Sequence, residues 1–279
     1  MSLIVFTSLA GSPGVTTATV AAAVHWPRPV VVVEADTDNV GQVMTGFFRA
    51  TLDVAAGMQH LVLAVTRNAL TIQTLLDPDG GIAVPVHLLP TSSTTPIPAL
   101  PSGHRLWIVP GWRDLTAASG VQTVWARLAA LAEQLHERGT DLLIDLGRLD
   151  VDDPRTTLLD AADRVVVCAS ATLTDLNRLH RRLRLPDLAA RVGHDGHRFR
   201  LLLLDAPTAP VASGDFARAV LPVAARLGFD PIGAAVFSHG NDDPHPARNR
   251  YRRDIRGAVA VLAAVTSSAS TRDRVGAAR

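Results

Sequence analysis

The chain has 279 residues, 47% of them hydrophobic and 19% charged, with a formal net charge of +1. That is ample for a substantial core and fits a soluble globular α/β protein. A single cysteine, Cys168, excludes an internal disulfide and points to a reducing cytoplasm, and no apolar stretch reaches the ~20 residues a spanning helix needs.

Leu3 to Leu9 is an apolar run without a basic flank, so it reads as a strand rather than a signal peptide. It enters the turn Gly11-Ser12-Pro13-Gly14-Val15-Thr16-Thr17 and then an Ala-rich stretch free of breakers. Val30 to Val33 follows and ends in Glu34-Ala35-Asp36. Strand, glycine turn, helix, strand is the order in which backbone N–H groups at a helix N-terminus can cradle a phosphate.

Apolar periodicity predicts helix across Asn39 to Asp77, ended by Asp77-Pro78-Asp79-Gly80-Gly81. Val84 to Leu89 reads as a short strand, Pro90 to Gly103 as a loop, and Arg105 to Val109 as a strand closed by Pro110-Gly111. Gly120 to Arg138 is an amphipathic helix stopped by Gly139. The strand Asp141 to Asp145 comes next, then a strand over Arg164 to Ala169 and a helix over Thr172 to Arg191. His197 to Leu204 is predicted as strand, Phe216 to Leu227 as helix, Pro231 to Phe237 as strand and Arg248 to Val265 as helix. The alternation predicts a single three-layer α/β/α domain over 1–265 with a mainly parallel sheet, and a flexible polar tail over 266–279.

All 27 basic residues are arginine. Residues 1–150 carry 8 Arg against 12 acids, and residues 151–279 carry 19 against 14. The basic second half is suited to an acidic partner or nucleic acid. Two clusters stand out: Arg178, Arg181, Arg182 and Arg184, and Arg248, Arg250, Arg252, Arg253 and Arg256. Arg248, Arg252 and Arg256 recur at the four-residue step that would line one helix face, with Arg253 beside it. The pairs His194/His197 and His239/His245 lack the cysteine or acidic partners that would complete a metal site.

The turn at 11–17 resembles the deviant Walker A loop of the ParA/MinD family of P-loop ATPases, K-G-G-x-G-K-[ST]-[ST]. Gly11, Gly14, Thr16 and Thr17 match that pattern, while Ala10 stands at the signature lysine and Val15 at the Walker lysine. Coding bias against lysine would have left arginine at both places, so the loss is a change of chemistry. The resemblance implies a P-loop fold and a nucleotide site made by Gly11, Ser12, Gly14, Val15, Thr16 and Thr17. ATP or ADP would bind with Mg²⁺ at Thr16, Glu34 and Asp145. It gives Asp36 the role of orienting the attacking water, and sets Asp205 where an asparagine usually reads adenine. A carboxylate only accepts hydrogen bonds, which weakens that preference.

Without either lysine the resemblance implies weak hydrolysis or none, because phosphoryl transfer depends on charge placed around the γ-phosphate. It further implies a positioning or partitioning role with a homodimer or another protein as partner. Non-specific DNA binding through Arg248, Arg252, Arg253 and Arg256 is a further expectation. The tail lacks the apolar face of a membrane-binding helix. The departures in the loop are also similar to those of TadZ/CpaE-like localisation scaffolds. An ATPase using a substitute arginine, Arg148 being nearest to Asp145 in sequence, is the third reading.

Overall fold

The computed structural model describes residues 3–11, 13–39, 41–52, 57–90, 97–113, 123–207 and 210–276, and the side chains of the last helix only as far as Ala264. Ser12 lies outside the described residues. The order is β1 (Leu3–Ser8), α1 (Val15–Val24), β2 (Val30–Glu34), α2 (Met58–Thr66), α3 (Ile72–Leu76), β3 (Val84–Pro85), β4 (Leu106–Val109), α4 (Thr123–Glu137) and β5 (Asp141–Arg148). It continues with α5 (Thr156–Ala161), β6 (Arg164–Ser170), α6 (Leu173–Arg182), α7 (Pro186–Asp195), β7 (Phe199–Leu204), α8 (Ser213–Ala219), β8 (Val223–Leu227), α9 (Pro231–Ser238) and α10 (Arg250–Gly276).

Among the described residues the strands form one eight-stranded sheet, ordered β3-β4-β2-β5-β1-β6-β7-β8. Every pairing is parallel except β3 with β4. The central strands β1, β2, β5 and β6 are almost wholly buried, which is why they read as unbroken apolar runs rather than alternating ones. Helices α2 to α8 pack on one face and α1, α9 and α10 on the other. Helix α1 is buried nearly all round, from Val15 and Ala18 through Val24, so its small alanines let it lie close to the strands. Cys168 is fully buried in β6 on the α1 side.

The topology locates the site. The chain leaves β1 toward β2 on one side and leaves β5 toward β6 on the other, and β1 and β5 are neighbours. Their two outgoing loops part at the carboxyl ends, where open parallel sheets bind ligands.

Several sequence-based expectations are corrected. The stretch 39–77 is not one helix: a π-helical turn, Val43–Phe47, precedes α2 and α3. The Thr172–Arg191 helix is two, because Pro186 starts a new one at its first turn. Phe216–Leu227 is helix α8 and then strand β8, since Pro222 cannot continue a helix. Pro231–Phe237 is helix rather than strand. Asp230 caps it, its Oδ1 accepting from Gly233 N at 2.9 Å. Helix α5 was not anticipated, and α10 runs on to Gly276, past the expected end at Val265.

The basic face expected around Arg252 is also corrected. Arg248 lies in a turn before α10 begins, and the Asn249 side chain caps that helix by accepting from Arg252 N at 2.8 Å. Arg252 itself is 3% exposed and paired with Asp243 at 2.8 Å. Its guanidinium stands 5.4 Å from the Phe237 ring centroid and 3.4 Å from His25 Nε2. Burial, then the charge of Arg252, pushes His25 down to about 3, so the imidazole is neutral and tolerates its cationic neighbour. Arg253 and Arg256 remain exposed on α10.

Breaking a buried ion pair from one side leaves an uncompensated charge. Arg252→Ala is therefore expected to cost about 3–5 kcal/mol in urea denaturation, whereas Arg256→Ala should stay within about 0.5 kcal/mol of the parent. Equal midpoints for the two variants would show that Arg252 is not a structural residue.

Candidate nucleotide site

The loop after β1 delivers α1 with its N-terminus toward the crevice. Gly14 holds φ +75°, the left-handed region, and is the residue before the first helical turn. Among the described residues no side chain caps α1. Its first backbone N–H groups, at Val15, Thr16 and Thr17, therefore lack the helical partners that later residues have, and face outward as donors. The side chain of Val15 turns the other way. It is 3% exposed and packed in the core between α1 and the sheet. Ala10 is 7% exposed and likewise apolar in its surroundings.

Opposite the loop stand three buried carboxylates. Asp145, in β5, accepts from Gly147 N at 2.9 Å through Oδ1, while its buried Oδ2 has no hydrogen-bond partner. Burial pushes its pKa up to about 7; the Thr16 hydroxyl and Gly147 N–H act against this, and Asp36 adds to it. Glu34 sits in register with Asp145 on the adjacent β2. Its two oxygens accept from Val43 N at 3.2 Å and Gly111 N at 2.7 Å. Burial lifts it to about 8, and Asp145 contributes in the same direction. Glu34 thus ties the π-helical turn to the turn after β4, and both oxygens are already engaged by backbone.

Asp36 is similarly committed. It accepts from Asp38 N at 2.9 Å, Asn39 N at 3.3 Å and Asn39 Nδ2 at 3.1 Å. These three donors fix its orientation toward the turn at Asp38 and Asn39. Gly147, at φ +59°, lies so close that a Cβ there would be 2.1 Å from Asp36 Oδ2, so only glycine lets the β5 exit pass.

Arg155 had no signal in the sequence and is central to the site. It is 3% exposed and bound to Asp153 at 2.6 Å. Its guanidinium donates to the carbonyls of Ala35 at 3.1 Å, Leu146 at 2.8 Å and Arg148 at 2.9 Å. One cation therefore pins the exits of β2 and β5 together and places positive charge beside Asp145. Arg148, the expected substitute, pairs with Asp38 at 3.6 Å and Asp150 at 3.5 Å.

Asp205 follows β7 and lines a cleft of about 500 Å³ with Pro13, Pro207, Phe229 and Tyr251. Its Oδ1 accepts from Arg226 Nε at 2.6 Å, so the carboxylate is neutralised rather than free to read a base. Among the described residues no three His, Cys, Asp or Glu side chains converge as a metal cluster. No described helix is long and apolar enough to cross a membrane.

This architecture is that of solved ATPases. A ParA family ATPase from Chlorobium tepidum superposes with a TM-score of 0.65 at 14% identity, over 92% of this chain and 97% of that one. The fold is ParA/MinD-like. The septum site-determining protein MinD of Pyrococcus horikoshii, solved with Mg-ADP, gives a TM-score of 0.60 at 10% identity, over 93% of this chain and 95% of that one. A putative plasmid partition protein of Borrelia burgdorferi bound to AMPPNP gives 0.61 at 11%, over 94% and 98%. No family model and no curated protein matches the chain. The ParA/MinD-like elements bring Gly14, Thr16, Asp145 and Asp36 together at one crevice. Asp205 stands across the loop at the second cleft, and Arg252 belongs to the core beyond α1.

Asp145 tests the electrostatics. A carboxyl raised from 3.8 to about 7 on folding destabilises the fold as pH rises through that window, since the folded state must then carry the buried charge. Asp145→Asn keeps an acceptor for Gly147 N and removes the charge. It should gain on the order of 1–3 kcal/mol at pH 8 and much less at pH 4.5. A gain independent of pH in thermal denaturation would show that Asp145 does not titrate in this range.

Proposed function

We propose that this protein is a ParA/MinD-like nucleotide-binding protein of the positioning or partitioning kind, with little or no ATP hydrolysis. The observation that carries this reading is the pairing of an uncapped α1 N-terminus with the unsatisfied Asp145 Oδ2 beside Thr16. The first is a ready anion site and the second a ready place for a hard cation. The donors fit Mg²⁺, which commonly takes one or two protein oxygens and keeps water and phosphate for the rest. Bound there, the ion would neutralise phosphate charge. Thr16 and Asp145 would hold it, and the N–H groups from Val15 to Thr17 would orient the phosphates. Glu34 would support the site from beneath as a strut.

Weak turnover follows from where the side chains go. Val15 is packed into the core and brings no charge, Ala10 brings none, and Asp36 is held by three donors. Such a protein would work through its bound state, engaging a second copy or another protein. A localisation scaffold that never turns over is the second reading, favoured by the same packing of Val15.

Calorimetric titration and melting curves with ATP and ADP, each with Mg²⁺, test the proposal. Saturating nucleotide should raise the melting temperature, a ligand at 100 times its Kd being worth about 2.7 kcal/mol. Thr16→Val should abolish the rise without unfolding the protein. Phosphate release should not exceed the protein-free rate. Absence of any nucleotide-dependent shift would overturn nucleotide binding, and Mg²⁺-dependent release lost in Asp36→Ala would overturn the weak-turnover reading.

A further inference from the structure

The loop that lost its lysines is bordered by guanidinium groups from elsewhere. A second cleft, of about 590 Å³, is lined by Leu9, Ala10 and Gly11 on one side and by Arg148, Arg178 and Arg181 among others on the rest. Arg178 also lines the cleft that contains Asp205 and Pro13. The two clefts therefore both border the phosphate loop, one at Gly11 and the other at Pro13, and one arginine is common to both.

Not all of these cations are free to act. Arg148 is held by Asp38 and Asp150, and Arg182, also at the cleft, by Asp187 at 3.2 Å and the Asp150 carbonyl at 2.6 Å. Arg178 is different: its side chain is 61% exposed and its ion pair among the described residues, to Asp175, is long at 3.5 Å. Arg181 is exposed, and its guanidinium makes no ion pair or hydrogen bond to a described residue. The two lie three residues apart on α6, hence on one face, where like charges repel unless something anionic sits between them. Guanidinium groups also present planar forks matched to phosphate oxygens.

We propose that Arg178 and Arg181 form the polyphosphate-binding element of this site, taking over from helix α6 the charge that Ala10 and Val15 do not supply. The ligand class is a linear polyphosphate, free or as the tail of a nucleoside triphosphate. The inference rests on the nucleotide reading for the second of these only. Its consequence is selectivity by tail length: a monophosphate reaches the α1 N-terminus alone, whereas a triphosphate spans from there to α6.

The test is calorimetric titration of the full chain with inorganic tripolyphosphate, and separately with ATP plus Mg²⁺ and AMP. The proteins are the parent, Arg178→Met/Arg181→Met, and Arg184→Met as a control. Arg184 is an exposed arginine just past α6 that does not line the cleft, so it reports any general loss of positive charge. Two charge-assisted contacts predict that the double variant binds tripolyphosphate at least about tenfold more weakly, with Arg184→Met within about twofold. AMP should not distinguish the three proteins. Tripolyphosphate binding that is equal in parent and double variant, equally weakened in the control, or absent from the parent overturns the proposal. Loss of tripolyphosphate in the double variant, with no nucleotide binding by any protein, upholds the cleft and removes the nucleotide reading. Nucleotide binding that depends on Thr16 but not on Arg178 and Arg181 does the reverse.

Discussion

Arg155 is the interaction on which the crevice depends. The exits of β2 and β5 carry Glu34, Asp36 and Asp145, three carboxylates withdrawn from water. Such a group is stable only if something offsets its charge and fixes its backbone. The Arg155 guanidinium fixes the backbone, reaching the Ala35, Leu146 and Arg148 carbonyls while paired with Asp153, and its charge also lies near Asp145; burial meanwhile lifts Glu34 to about 8 and so keeps it largely uncharged near neutrality. Gly147 then completes the fit, since any side chain there would meet Asp36.

The carboxylates divide their work according to what surrounds each. Glu34 and Asp36 are consumed by backbone donors and shape the turns around them. Of the three, Asp145 alone keeps a buried oxygen without a hydrogen-bond partner, and burial pushes its pKa up to about 7. Chemistry is therefore concentrated at one atom, with two acids acting as its scaffold.

How much of this was legible in the sequence varied with the kind of signal. The β1–α1–β2 unit was readable because buried parallel strands leave unbroken apolar runs and Gly14 marks the turn. Asp145 was readable because it falls within such a run. The region 216–237 was misread because short apolar segments have no decisive period. The punctuation at Pro222 and at Asp230-Pro231 held the answer. The basic cluster was misread because spacing says nothing of where a helix begins: Asn249 starts α10 too late for Arg248 to share its face. Arg155 and Arg252 were invisible for another reason. Their partners, the neighbouring Asp153 and the loop residue Asp243, look like ordinary solvated charges until the fold buries them.

The lone thiol carries a practical consequence. Cys168 lies at 0% exposure in β6, and burial raises its pKa, so in the folded chain it is both hidden and un-ionised. A thiol reagent needs the thiolate and a path to it. With one sulfhydryl in the sheet, in the same core cluster as Tyr251 of α10, the rate of alkylation becomes a clock for separation of β6 from the helical layer that covers it, a motion otherwise silent.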